Sequence, residues 1–248
     1  MIKSLEKAFR NYFPKKYKFR QKYILATKDK YGIEIGGPSQ IFSNNGLIPI
    51  YKKISILDGC NFSTTTIWEG KLEAGETYQY SKHKKPGTQF ISEGSNLSSI
   101  NSEKYDFLLS SHNLEHFANP LKALFEWKRI LKKNGYLIMV LPFKEKTFDH
   151  KRPVTSIEHI LEDYNLNIDE RDNTHFDEIL NLHDLSRDPG VKNKNELTER
   201  IKNNFTNRCA HHHVFDKNLA IKIVQTAGFN IINAGIMYHN IIILAQNN

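Results

Sequence analysis

Two cysteines, Cys60 and Cys209, are too few for a disulfide framework, so the expected compartment is a reducing one. No apolar run is long enough to cross a bilayer. The N-terminal residues scatter charge where a signal peptide would carry an apolar core. Internal repeats and low-complexity linkers are also missing. These absences lead to the expectation of a cytoplasmic protein built as one main domain. Acidic residues are outnumbered: the formal charge is +8 over 248 residues, which calls for an anionic partner such as a phosphate-bearing substrate, a nucleic acid or a membrane surface. Much of the excess sits in residues 1–30, as in Lys15-Lys16-Tyr17-Lys18-Phe19-Arg20-Gln21-Lys22. That run reads first as a solvated helix face. A peripheral membrane contact through it is a further expectation.

What the chain does have is a core's worth of apolar residues (39%) and one unusual stretch, Gly32-Ile33-Glu34-Ile35-Gly36-Gly37-Pro38-Ser39. It reads as a buried strand ending in a glycine turn, where a ligand can approach the backbone closely. Glu34 is a carboxylate inside an apolar run and needs a partner, a ligand hydroxyl or ammonium being one candidate. In open α/β sheets, ligands bind in the crevice at the carboxyl ends of the strands.

Strands and helices then alternate, which predicts a mainly parallel α/β sheet with helices on both faces. Strands are expected at residues 32–36, at Ile54-Ser55-Ile56-Leu57 ending on Asp58, at Gln89-Phe90-Ile91-Ser92, at 105–111 and at 136–141. Residues 62–87 are polar and read as loop. A helix over 120–131 starts at Pro120 and stops at Asn134-Gly135. Residues 143–208, rich in charge and histidine, read as a helical insertion. A helix over 217–227 is capped by Asp216 and Gly228. Two closing strands, 229–237 and 240–245, form an antiparallel hairpin at the sheet edge.

Four pieces in this order resemble the motifs of class I S-adenosylmethionine-dependent methyltransferases of the type-11 kind: the glycine-rich stretch, Asp58, Glu93-Gly94-Ser95-Asn96-Leu97, and the segment Ser110-Ser111-His112-Asn113-Leu114-Glu115-His116 after the fourth strand. The resemblance implies a Rossmann-like fold, with 31–248 as one methyltransferase domain carrying 143–208 on its acceptor side. It implies S-adenosyl-L-methionine as cofactor. Glu34, Gly36 and Gly37 would lie near its methionine part and Asp58 on the ribose. Glu93, Gly94 and Asn96 would hold the adenine, and Ser111 and His112 would stand near the methyl donor. The first motif departs from the family pattern in reading Gly36-Gly37-Pro38 rather than Gly-x-Gly.

Other constellations carry chemistry of their own. His112-Asn113-Leu114-Glu115-His116 matches the inverted zinc-peptidase pattern, which works only on a helix. Phe148-Asp149-His150-Lys151-Arg152-Pro153 follows the fifth strand, where loops carry function. Asp149 beside His150 would make a general base and Arg152 suits an anionic acceptor. His112, Asp149, His150 and Arg152 are therefore the catalytic candidates. Cys209-Ala210-His211-His212-His213 suggests a metal, with His211 and His213 on one side of an extended backbone and His150 nearby; core or pocket-lining histidines are the plainer reading.

Thr147-Phe148-Asp149-His150-Lys151-Arg152-Pro153, with the later His211-His212-His213-Val214-Phe215-Asp216, resembles methyltransferases encoded near bacterial surface-polysaccharide genes. That implies O-methylation of a capsule or other glycan precursor, at a sugar hydroxyl or at a phosphoryl or phosphoramidate group. Two other readings stand beside it. One is an RNA methyltransferase that uses Tyr12, Tyr17 and Phe19 among the basic residues, although no RNA-binding module is recognisable. The other is a non-catalytic nucleotide-binding protein of the same fold.

Overall fold

The computed structural model describes residues 14–248, with side chains from Lys18 onward. Tyr12 and the side chains of Lys15, Lys16 and Tyr17 lie outside what it describes. One eight-stranded sheet organises the chain. Its parallel centre is β1 (Tyr31–Ile35), β2 (Ile56–Asn61), β6 (Gly87–Ile91), β7 (Tyr105–Ser111) and β8 (Leu131–Pro142). The closing hairpin, β9 (Phe229–Met237) and β10 (Asn240–Asn247), is antiparallel and joins β8 through β10. At the opposite edge β5 (Gly75–Tyr78) pairs antiparallel with β6. The order is β5-β6-β2-β1-β7-β8-β10-β9, so the chain reverses direction across the sheet between β1 and β7. A crevice opens outside the carboxyl ends of the strands at such a switch point. The mainly parallel sheet with an antiparallel end is the architecture expected from the sequence.

Helices cover both faces. On one face α2 (Pro120–Ile130) and α7 (Lys217–Thr226) bury Leu121, Leu124, Trp127, Ile223 and Val224 against Leu108, Met139 and Ile243. The helix boundaries follow local chemistry. The Asn119 side chain accepts from Lys122 N at 3.0 Å ahead of Pro120, and Asp216 accepts from Leu219 N at 2.7 Å. Gly228, at φ +83°, ends α7 in the left-handed region. On the other face α1 (Pro14–Thr27) and residues 42–54 form a second core around Tyr23, Phe42, Tyr51 and Ile138. The basic run is thus partly docked. Arg20 donates to the Leu47 and Gly46 carbonyls at 2.9 and 3.0 Å, and Phe19 packs on Tyr23 at 4.9 Å between ring centres.

Residues 143–208 carry α3 (Ile157–Asn165), α4 (Phe176–Leu182), α5 (Lys194–Lys202) and the short α6 (Asn204–Asn207). A small core of Ile179, Val191, Leu197, Ile201 and Ala210 holds part of this segment together. Among the described residues no helix is long and apolar enough to cross a membrane.

Three boundaries differ from expectation. β2 begins at Ile56 and runs on through Gly59-Cys60-Asn61, so Asp58 sits mid-strand. β8 begins at Leu131 directly after α2, because Leu131 pairs with Tyr105 and Asn134 takes φ +63° within the strand. Residues 62–87 are not all loop: they hold a two-stranded ribbon, β3 (Thr65–Thr66) with β4 (Gly70–Lys71), and then β5. These strands are short and largely exposed, so no apolar alternation marks them.

Candidate active site

β1 and β7 deliver the site. Gly36 leaves β1 at φ +76°, and a Cβ there would stand 2.9 Å from the Asn113 side chain. Asn113 in turn donates to Ile35 O at 3.2 Å, so the turn after β1 is locked to the turn after β7. Gly94 is equally hemmed in: a Cβ would stand 2.7 Å from Phe117 and 2.8 Å from Ile35. Its carbonyl accepts from Trp127 Nε1 at 2.9 Å, which ties this backbone to α2. Between these turns opens a cleft of about 830 Å³. Gly36, Glu93, Gly94, Ser111 and His112 all line it. Small residues with no room for a side chain, at strand ends on a switch point, fit a nucleoside cofactor approaching the backbone.

Other expected cofactor contacts are corrected by the structure. Glu34 is fully buried, but its carboxylate accepts from Ser39 N at 3.0 Å, Tyr51 Oη at 2.7 Å and Tyr78 Oη at 2.8 Å. It shapes the turn from behind and does not line the cleft. Burial pushes its pKa up against those three donors. Gly37 also lies off the cleft; a Cβ there would stand 2.3 Å from the Glu34 carboxyl carbon. Asp58 is buried in the middle of β2 and takes hydrogen bonds from Tyr31 Oη (2.5 Å), Tyr105 Oη (2.8 Å) and Thr88 N (2.9 Å), with Lys104 at 3.3 Å. It is spent there and does not reach the cleft. The strand-end position belongs to Asn61, which lines the cleft and donates to Gly37 O at 3.1 Å. Asn96 is exposed and faces a different, shallow depression beside Lys122 and Arg129.

The catalytic candidates are rearranged too. His112 stands exposed at the cleft mouth at φ +48°, with Nε2 2.7 Å from Asn240 Oδ1 on the closing hairpin. Arg152 is 1% exposed and bonded to Asp149 (3.0 Å), Glu178 (2.7 Å) and His211 O (2.8 Å), so it grips the chain itself rather than an acceptor. His150 turns to Asp184 at 2.7 Å and is absent from the cleft wall. Asp149, also buried, pairs with Arg152 on one oxygen and His211 Nδ1 on the other. Burial alone would raise its pKa, but His211 and Arg152 overcome this and hold it down at about 2. Burial likewise opposes charge on His211, and Asp149 outweighs it, so the His211 pKa is raised.

His211, His116 and Glu115 are among the residues that line the cleft, with Glu170, Arg200 and Arg208 also on its wall. His116 Nδ1 lies 3.2 Å from Ala210 O. A carbonyl only accepts, so Nδ1 carries the proton and Nε2 keeps its lone pair. Burial lowers the His116 pKa well below the imidazole norm. Glu115 is 1% exposed, and neither of its carboxylate oxygens has a hydrogen-bond partner. Desolvation pushes its pKa up. The Trp68 ring lies tilted against His116 at 5.4 Å and Phe148 tilted against His211 at 4.8 Å, giving the cleft aromatic walls.

The inverted zinc-peptidase reading fails on geometry. Its residues run from a strand end through a single 3₁₀ turn, Leu114–His116, so no helix face carries both histidines. His150, His211 and His213 do not converge on an ion either. Each is engaged elsewhere: His150 with Asp184, His211 with Asp149, and His213 beside Asp163.

Comparison with known proteins agrees with this architecture. No curated protein sequence matches the chain. Solved structures share its fold at low identity. An S-adenosylmethionine-dependent methyltransferase from Mesorhizobium loti is 9% identical, with 93% of this chain and 97% of that one covered at a TM-score of 0.51. A SAM-dependent methyltransferase from Aquifex aeolicus is 14% identical, with 100% and 97% covered at 0.47. Residues 58–139, from β2 to β8, match the family described as methyltransferase domain. Residues 58–139 thus carry a methyltransferase-domain match on a fold that the chain shares with S-adenosylmethionine-dependent methyltransferases.

Proposed function

We propose that the protein methylates an oxygen of a polar, anionic glycan precursor, the acceptor lying beneath residues 143–208 of a single methyltransferase domain that spans 31–248. The observation that carries this reading is the proton-handling group at the end of β7: Glu115, whose carboxylate makes no hydrogen bond and lies 3.9 Å from His116 Nε2, with His211 held at Nδ1 by Asp149. The cofactor supplies an electrophilic methyl on a sulfonium; an oxygen acceptor must lose its proton. Glu115 and the free Nε2 of His211 take that proton, and Asp149 with Arg152 behind it fixes the imidazole. His112 positions the mouth of the cleft. Gly36, Gly94 and Ser111 hold the cofactor by close backbone approach, Glu93 borders the adenine side, and Asn61 takes a ribose hydroxyl in place of the usual carboxylate.

The acceptor class follows from the net charge of +8 and from the resemblance of 147–153 and 211–216 to surface-polysaccharide methyltransferases. Both cysteines are buried and unpaired, in keeping with a cytoplasmic place of work. The test has two arms. Titration calorimetry with S-adenosylhomocysteine should give saturable heat. Methyl transfer from labelled cofactor to a panel of nucleotide sugars and phosphorylated sugars should label at least one. Cofactor binding with no transfer to any member, but transfer to bulk RNA, would overturn the acceptor class.

A further inference from the structure

A second group of histidines is not used by the cleft. His159 and Asp163 stand one turn apart on α3, His175 immediately precedes α4, and His213 lies in the extended stretch before α7. These three segments are far apart in sequence, yet one donor atom from each of the four residues lies within 4.8 Å of all the others. His159 Nε2 is 3.1 Å from His175 Nε2 and 3.5 Å from Asp163 Oδ2, and His213 Nε2 is 3.6 Å from the same oxygen.

Hydrogen bonding accounts for the His159–His175 contact and for His213 Nε2, which faces Ala118 O at 3.2 Å, but not for Asp163. Asp163 Oδ2 is buried and has no hydrogen-bond partner, although two imidazoles stand next to it. Separations of 3.5 and 3.6 Å exceed ordinary N–H···O bonds. They match something else. Around a tetrahedral zinc with ligand bonds of about 2.05 Å, neighbouring ligand atoms are about 3.3 to 3.4 Å apart. Three of the six donor separations bracket that edge length and the whole set lies within 4.8 Å, so binding would draw the donors closer and take His213 Nε2 from Ala118 O. Three imidazoles with one carboxylate are a zinc donor set, and four protein ligands leave no open position, as in sites that hold structure rather than perform chemistry.

We infer that His159, Asp163, His175 and His213 bind one zinc ion that fastens residues 143–208 to the methyltransferase core. The fastening reaches the cleft through the backbone: His213 N donates to Glu115 O at 3.4 Å, and Asn119, which caps α2, donates to Asp163 O at 2.9 Å. The inference stands apart from the proposed acceptor and needs no methyl transfer for its test.

The test uses untagged full-length protein, stripped with chelator, equilibrated with Zn²⁺ and passed over a sizing column. About one zinc per chain should remain by elemental analysis. Chelation should lower the melting temperature, and Zn²⁺ should restore it. Loading with Co²⁺ should give the intense visible absorption of a tetrahedral centre. His159→Ala and His175→Ala should each lose the metal, while Glu115→Gln keeps it, which separates this cluster from Glu115, His116 and His211 in the cleft. If those variants do not fold, the wild-type stoichiometry and the cobalt spectrum decide alone. A folded wild type that retains no zinc, an octahedral cobalt spectrum, or zinc lost in Glu115→Gln and kept in His159→Ala would each overturn the inference.

Discussion

Replacing Asp149 with Asn separates the roles assigned to the buried network. The carboxylate is 3% exposed and paired on both sides, so solvent screens little of its interaction. Its folded pKa is about 2 against an ordinary value of 3.8. At 1.36 kcal/mol per pKa unit, that difference contributes about 2 kcal/mol of stability at neutral pH. For a chain of this size the loss corresponds to a melting temperature lower by about 4 to 8 °C. The sign follows from the direction of the shift. A lowered folded pKa gives stability that is present above the unfolded value and lost as pH falls through the folded one. The gap between wild type and Asp149→Asn should therefore be full at pH 7 and shrink between about pH 4 and pH 2. Urea unfolding at several pH values measures it. Turnover should fall by about 10²-fold or more as His211 loses its orienting partner. Affinity for S-adenosylhomocysteine should stay unchanged, since Asp149 does not line the cleft. A stability change under about 0.5 kcal/mol at pH 7, or a gap that persists at pH 2, would refute the buried ion pair as described.

Gly36→Ala should weaken S-adenosylhomocysteine binding by tenfold or more with the circular dichroism spectrum unchanged, because it adds left-handed strain of about 1 to 2 kcal/mol and crowds Asn113; calorimetry reads it. Asp58→Asn should cost stability while leaving that affinity within about twofold, since the ion is spent on Tyr31, Tyr105 and Thr88; a tenfold loss of affinity would put Asp58 back on the ribose. Arg152→Ala should unfold far more readily, by about 3 to 5 kcal/mol, because it strands a buried carboxylate; a stable variant with only a raised KM would make it an acceptor ligand after all. Glu115→Gln should fold and bind cofactor yet turn over about 10²-fold more slowly, and normal turnover would remove Glu115 from proton transfer.

Much of the frame was legible because local chemistry and tertiary need agree. β7 and the closing hairpin are apolar runs, and α2 and α7 carry their caps in the adjacent residues. The apolar run of β2 ends at Leu57, whereas pairing with Gln89, Phe90 and Ile91 keeps Gly59-Cys60-Asn61 extended beyond it. Ending the strand with that run puts Asp58 at a strand end. Glu34 stood out as a buried carboxylate in need of partners, but those partners are Tyr51 and Tyr78, brought in by tertiary packing. Asp149 and Arg152 were visible as a charged pair after a strand. Nothing local said that both would be buried against the His211-His212 backbone, with a histidine 62 residues away presented to the cleft instead. The signal for Glu115 and His116 was their place directly after the fourth strand, where the peptidase pattern drew attention to spacing instead of position.

The carboxylate of Glu34 gathers the first strand, the stretch around Tyr51 and the edge strand ending at Tyr78 on a single anion. An engineer who trims the excursion between β2 and β6 to simplify the surface would remove one of the two phenols with it. The remaining tyrosine would face an under-solvated negative charge directly behind the glycine bend. Changes at that outer margin of the sheet would then register as altered nucleoside affinity through the bend, as well as through Ile67, Trp68 and Glu69, which line the cleft from the same excursion.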